Sequence, residues 1–129
     1  MGSIANKQHQ PEMVEPDEAI LIAARAASAK KATEIAVLDL QEIASFTDYF
    51  MICTGANARQ TQAVSNGVEE ELKKVGKRPL HIEGYSNAEW ILLDYGDFIV
   101  HVFSSAARRF YDLERLWRDA KRVEIEDGE

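Results

Sequence analysis

The stretch Tyr49-Phe50-Met51-Ile52-Cys53-Thr54-Gly55-Ala56-Asn57 decides the reading of the fold. Tyr49 to Cys53 are all apolar or aromatic, and a run without polar alternation predicts a strand covered on both faces, as in a sheet with helices packed on it. Gly55 then breaks the run. Asn57 suits the N-cap of a following helix, because its side-chain oxygen accepts a backbone N–H of the first turn. That helix presents Ala58, Thr61, Val64, Val68, Leu72 and Val75 at steps of three or four and ends at Gly76. Strand, glycine turn and helix in this order set the α/β character of the chain.

Upstream, a first helix begins at Pro16, whose fixed φ suits the first helical position, with Asp17 and Glu18 favourable to the helix dipole. It runs to about Lys31 and carries Leu21, Ala24, Ala27 and Ser28 on one small-residue face. Ile35 to Leu40 is a second short apolar, β-branched strand. Downstream, Lys77-Arg78-Pro79 connects to a short strand, Leu80 to Glu83, and Gly84 to Asn87 forms a turn. Trp90 to Tyr95 and Phe98 to Phe103 are two further strands reversing at Gly96, where the tight turn calls for positive φ. Ser104 or Ser105 caps a last helix with the face Ala106, Phe110, Leu113, Trp117 and Ala120, so Phe110 and Trp117 are assigned to packing. The predicted fold class is α/β: a single domain over 16–122, with a mixed sheet of about five strands flanked by helices. Residues 1–15 lack hydrophobic periodicity and read as a flexible tail, with Met1-Gly2-Ser3 as a cloning remnant, and 123–129 read as an acidic, frayed tail.

The chain has 129 residues, 46% hydrophobic and 29% charged, which fits one globular domain rather than a disordered chain. No apolar run approaches the roughly 20 residues of a membrane helix, and the polar N-terminus lacks the apolar core of a secretory signal. The single cysteine, Cys53, has no partner for an internal disulfide and fits a reducing, cytoplasmic setting. Fifteen Lys and Arg against 22 Asp and Glu give a net charge of −7. A general nucleic-acid binder carries a basic surplus, so direct DNA binding is not expected. Between Lys31 and Arg59 there is no basic residue, but Glu34, Asp39, Glu42 and Asp48 occur there. Between Arg78 and Arg108 the pattern repeats with Glu83, Glu89, Asp94 and Asp97. Two readings fit: strands that avoid lysine beside solvated acids, or an acidic, strand-built surface that attracts a basic protein.

Catalytic and metal chemistry find little support in the residues. His9 lies in the tail, and His81 and His101 fall on predicted strands without ligand partners at i, i+2 or i, i+4, so no metal is expected. Cys53 at the end of an apolar strand reads as a buried small hydrophobe, since a nucleophile needs a base beside it. The turn Thr54-Gly55-Ala56-Asn57 is the one enzyme-like feature, because a helix N-terminus can hold an anion. Nucleotide transfer would also need two carboxylates to hold a metal. The helix after this turn offers no acid until Glu69, and Asp94 and Asp97 have the wrong spacing. No cofactor and no catalytic residue are expected.

From Asp39 to Trp117 the sequence resembles the ribosomal silencing factor (Iojap-like) family. The matching pieces are Thr47-Asp48-Tyr49-Phe50, Thr54-Gly55 with Arg59-Gln60 and Ala63, Glu83-Gly84, and Glu89-Trp90. Leu93-Asp94-Tyr95-Gly96-Asp97 follows, leading into Val100-His101-Val102-Phe103. Arg109, Tyr111-Asp112-Leu113-Glu114 and Leu116-Trp117 close the set. Ala58 departs from the serine common before the Arg-Gln pair, which touches helix capping rather than the later strands. The resemblance implies a mixed-sheet, nucleotidyltransferase-like fold without catalytic residues. It implies a translational repressor that binds ribosomal protein L-fourteen on the large ribosomal subunit and blocks joining of the small subunit when nutrients are scarce. Large-subunit assembly, or a nucleotidyltransferase-like enzyme, is the alternative role, and a homodimer is a further expectation.

On this reading the docking surface is Glu83, Trp90, Leu93, Asp94, Tyr95 and Asp97. Trp90 and Tyr95 serve as aromatic anchors, and Asp94 and Asp97, with Glu83 on the neighbouring strand, pair with Lys or Arg of the partner. Core packing for Trp90 and turn formation for Asp94 and Asp97 remain the alternatives. Arg108-Arg109 is read as solvent-facing.

Overall fold

Strand β2 (Tyr49–Gly55) is buried along its whole length, as its continuous apolar run predicts. It belongs to a computed structural model that describes residues 14–125. Helix α1 (Pro16–Ala29) and strand β1 (Thr33–Asp39) precede it; helix α2 (Ala58–Lys73) and strands β3 (His81–Glu83), β4 (Trp90–Asp94) and β5 (Phe98–Ser104) follow. The chain closes with two short helices, α3 (Ser105–Tyr111) and α4 (Leu113–Leu116), and strand β6 (Lys121–Val123). The strands form one mixed sheet in the order β3-β4-β5-β2-β1-β6. Only β2 and β5 pair in parallel, from Tyr49 opposite Phe98 to Gly55 opposite Ser104. The crossover between them carries α2, β3 and β4, and β4 returns antiparallel to β5.

Side-chain alternation splits the sheet into two faces. Helices α1 and α2 cover the first, where Ala23, Ala27, Val64, Val68 and Leu72 meet Met51, Cys53, Val100, Val102, Ile91 and Leu93. The alanines of α1 let it lie close to the sheet; of the expected small-residue face, Ala24 and Ala27 are buried, while Leu21 and Ser28 are only half-buried. Each fully buried aliphatic side chain here contributes about 1.5–3 kcal/mol of transfer free energy. The second face is covered only in part. Leu38, Leu40, Phe50, Ile52, Phe103 and Ala107 form a smaller cluster under Leu113, Trp117 and Ala120.

Capping explains where the helices start and stop. Asn57 Oδ1 accepts the backbone N–H of Gln60 at 2.8 Å, as expected from the sequence. At the other end Gly76 takes φ +81° and the N–H of Lys77 reaches the carbonyl of Leu72, a Schellman closure that aims the chain toward β3. Ser104 caps α3 by accepting from Ala107 N–H at 3.0 Å. The continuous last helix expected from Ala106 to Ala120 is not formed. Asp112 adopts the left-handed conformation at φ 51°, which ends α3 and redirects the chain into α4. Leu113, Trp117 and Ala120 still pack on the sheet. Phe110, assigned to packing from its spacing, is 79% exposed because the break rotates it away. A strand at Lys121–Val123, pairing with Val37–Asp39, stands where the sequence reading ends the helix and begins a tail. The expected tail 1–15 and Met1-Gly2-Ser3 fall almost wholly outside the described residues.

Candidate docking surface

Strand β4 places Trp90, Leu92 and Asp94 on the second, partly open face of the sheet, and Ile91 and Leu93 on the helix-covered face. Register carries the open face across the neighbours: Glu83 lies opposite Leu92, His81 opposite Asp94, and Ile99 opposite Asp94 on the other side. Three of the six residues expected at a docking surface, Glu83, Trp90 and Asp94, therefore share the open face of β3 and β4, while Asp97 lies in the turn between β4 and β5. Glu83 and Asp97 are exposed, and Trp90 and Asp94 are half-buried. Leu93 and Tyr95 are corrected: both are buried, Leu93 completely, in the core beneath α2. Alternation along β4 decides this, because a residue one position from Leu92 or Asp94 must point to the opposite face. The same alternation adds Leu92 and Ile99, both half-buried, to the open face.

Trp90 is held by several partners. Its indole N–H donates to His101 Nδ1 at 3.1 Å. Its ring lies 5.0 Å from that of Phe103 and 4.5 Å from that of Tyr111, which is itself 48% exposed. Tyr111 was outside the expected set, since its position depends on where α3 ends. Behind Trp90, Gly84 has φ +80°, and a Cβ there would lie 2.0 Å from the Trp90 carbonyl oxygen. Only glycine fits, and that explains the Glu83-Gly84 pair next to the tryptophan. Glu89 is engaged as well, its Oε1 accepting the Ser104 hydroxyl at 2.8 Å.

The acidic residues divide their work. Asp94 Oδ1 accepts the Gly96 N–H at 2.8 Å and so builds the β4–β5 turn, while its Oδ2 stands 3.5 Å from His81 Nε2. The turn is anchored further by the Thr47 hydroxyl donating to the Gly96 carbonyl and by Asp48 N–H donating to the Asp97 carbonyl. Asp97 uses its backbone there and leaves its carboxylate in solvent. Asp94 thus makes the turn, and the Asp97 carboxylate is exposed without an ion-pair partner among the described residues.

The glycine turn ahead of α2 has a packing role. A Cβ at Gly55 would approach the Thr61 hydroxyl to 2.7 Å, so glycine is needed for the helix to meet the strand. Two of the N–H groups around this turn are occupied within the chain. Gln60 Oε1 accepts from Ala56 N–H, and Asn57 Oδ1 accepts from Gln60 N–H. Gln60 also donates through Nε2 to the carbonyls of Lys30 and Lys31, tying α2 to the end of α1. Among the described residues no group of three or more His, Cys, Asp or Glu is placed to hold a metal ion.

Burial sets the remaining titrations. Desolvation pushes the Cys53 thiol up to about 12, with Arg108 opposing, which leaves it protonated and inert. The His101 imidazole is pushed down to about 3 by burial and stays neutral. Arg108 is not solvent-facing as expected: it donates to both oxygens of Glu114 at 3.0 Å and to the Thr54 hydroxyl at 2.9 Å. These bonds hold the Glu114 carboxyl below its ordinary range. No helix of the described residues is long and apolar enough to cross a membrane.

A family model described as "Ribosomal silencing factor during starvation" matches residues 13–129. The ribosomal silencing factor RsfS of Halalkalibacterium halodurans is 38% identical over 109 residues, covering 84% of this chain and 93% of the relative. That of Bacillus subtilis is 38% identical over 107 residues, covering 83% and 91%. A crystal structure of a protein from Chromobacterium violaceum superposes with a TM-score of 0.79 at 33% identity, covering 87% of this chain and 92% of that one.

Proposed function

The chain belongs to the ribosomal silencing factor family, and we propose that it represses translation by docking, without catalysis, on ribosomal protein L-fourteen of the large subunit. The docked domain then occupies space the small subunit needs in order to join. The observation that carries this reading is the open sheet face where Glu83 and Asp94 lie beside the half-buried Trp90 and Leu92, with the exposed Asp97 in the turn that follows Asp94. An apolar centre with an acidic rim is suited to a basic protein: the aromatic supplies affinity, and the acids supply orientation and encounter rate. A steric block needs occupancy alone, so abundance and affinity set the extent of repression. The proposed setting is the cytoplasm.

The test is co-sedimentation with purified large subunits. Glu83→Lys with Asp97→Lys reverses two charges that are solvent-exposed and leaves the turn-building Asp94 intact. The double variant should lose retention while keeping its melting temperature. Undiminished retention would remove this edge from consideration.

A further inference from the structure

A second surface lies around the rim of the same edge. The Schellman closure at Gly76 turns Lys77-Arg78-Pro79 back along the last turn of α2. Lys73, Lys77 and Arg78 thereby line one groove of about 430 Å³ together with Glu69, Pro79 and His81. His81 joins this groove to the acidic edge, since its Nε2 lies 3.5 Å from Asp94 and 3.7 Å from Glu83.

Several cations of the chain are engaged within it. Arg108 and Arg122 are bound to Glu114, Lys121 to Glu42 and Lys74 to Glu71. Arg109 donates to the Ser105 hydroxyl, and Arg118 to the Arg115 carbonyl. Lys73, Lys77 and Arg78 form no ion pair among the described residues, as is also true of Arg25, Lys30, Lys31, Arg59 and Arg115. The first three, however, line one groove with a single carboxylate, Glu69, whereas Arg25 and Lys30 line theirs with Glu70 and Glu71. The helix dipole accounts for a cation at Lys73, in the last turn of α2. It does not account for Lys77 and Arg78, which follow the closure and share the concavity with Lys73.

We infer that this groove binds the phosphate backbone of RNA. The inference rests on the docking reading above, which places the acidic edge against a protein embedded in a mostly RNA particle. An acidic domain approaching such a particle is repelled by its phosphates. Three cations against the one carboxylate of Glu69 in a groove beside the docking edge would convert the nearest phosphates from a repulsive boundary into a contact. Release of the counterions condensed on that RNA would favour it further.

The test compares two probes, purified large ribosomal subunits and isolated L-fourteen, against the full chain and the triple variant Lys73→Gln, Lys77→Gln, Arg78→Gln. The variant should bind isolated L-fourteen as the wild type does, yet bind the large subunit about tenfold more weakly, with a shallower dependence of log affinity on log salt. Melting temperatures of the two chains exclude unfolding as the cause, and Lys77→Arg should restore part of the loss if introduced alone into the Gln background. Equal affinity and equal salt slope on the subunit would overturn the inference. So would an equal loss on both probes, which would assign the cations to the protein contact. A wild-type chain that binds neither probe would overturn the docking reading itself, and the groove's assignment with it.

Discussion

Trp90 donates its indole N–H to Nδ1 of His101 at 3.1 Å. Because Nδ1 accepts, the ring proton sits on Nε2, a buried atom with no hydrogen-bond partner. The ring packs edge-on to Phe50, with centroids 4.5 Å apart. His101 thus fixes the tryptophan from beneath the sheet face while staying out of solvent. His101→Leu should leave the indole N–H unpaired and destabilise the fold by about 1–3 kcal/mol. Chemical denaturation measures that loss, and a shifted tryptophan emission should accompany it. An unchanged unfolding free energy would mean that the hydrogen bond contributes nothing.

The same residue sets a pH dependence. Its folded value is about 3 against an ordinary 6.5, and the cause is burial. Between those values the unfolded chain takes up a proton that the folded chain refuses. The contribution is therefore fully present above about 6.5 and is withdrawn as pH falls toward 3. His101→Phe removes this titration, so between pH 6.5 and 5 it should lose less stability than the wild type by roughly 1–2 kcal/mol. Parallel curves over that interval would contradict a buried, neutral His101.

Gly84→Ala should be among the most damaging single changes. It places a Cβ against the Trp90 carbonyl and forces a side chain into φ +80°. Backbone strain of this kind alone costs on the order of 1–3 kcal/mol. The melting temperature should drop, and retention on the large subunit should drop further in proportion, because the strand that bears Trp90 must shift. Gly76→Ala is the comparison, since that glycine also has positive φ but lies away from β4.

Gln60→Ala removes a side chain that makes three bonds, accepting from Ala56 N–H and donating to the carbonyls of Lys30 and Lys31, and leaves the backbone N–H that Asn57 caps. The site is exposed, so the loss should be about 1–2 kcal/mol rather than the sum of the bonds. Hydrogen exchange should report it at the α1–β1 junction, where Lys31 holds φ 71°. A variant with unaltered exchange there would show that the tie is not needed.

Gln60 also shows where sequence reading stops. The cap at Asn57 was legible because a local side-chain oxygen answers a local N–H, and Gly76 and Gly96 were legible because their turns require positive φ. The Gln60 tie joins positions 30 residues apart, and nothing in either segment announces it. The buried run of β2 was legible from composition. Trp90 and Asp94 fall on the open face of β4 and Asp97 is exposed in the turn beyond it, whereas the expectation that Leu93 and Tyr95 share that surface overlooks period-two alternation, which sends both into the core. The break at Asp112 was hidden by Leu113, Trp117 and Ala120, whose spacing suits an unbroken helix as well as two short ones. Strand β6 has charged Lys121 and Arg122 on an edge, with Val123 as its single apolar residue, so it carries almost no strand signal.

Subunit joining tests the central claim most directly. Purified small and large subunits are mixed after preincubation of the large subunit with the wild-type chain or with the Glu83→Lys, Asp97→Lys variant, and joined particles are quantified on a sucrose gradient. The wild type should lower the joined fraction in a saturable, concentration-dependent way, and the folded variant should leave it at the level without factor. Equal inhibition by both chains, or none by a wild-type chain that is bound to the large subunit, would contradict the account.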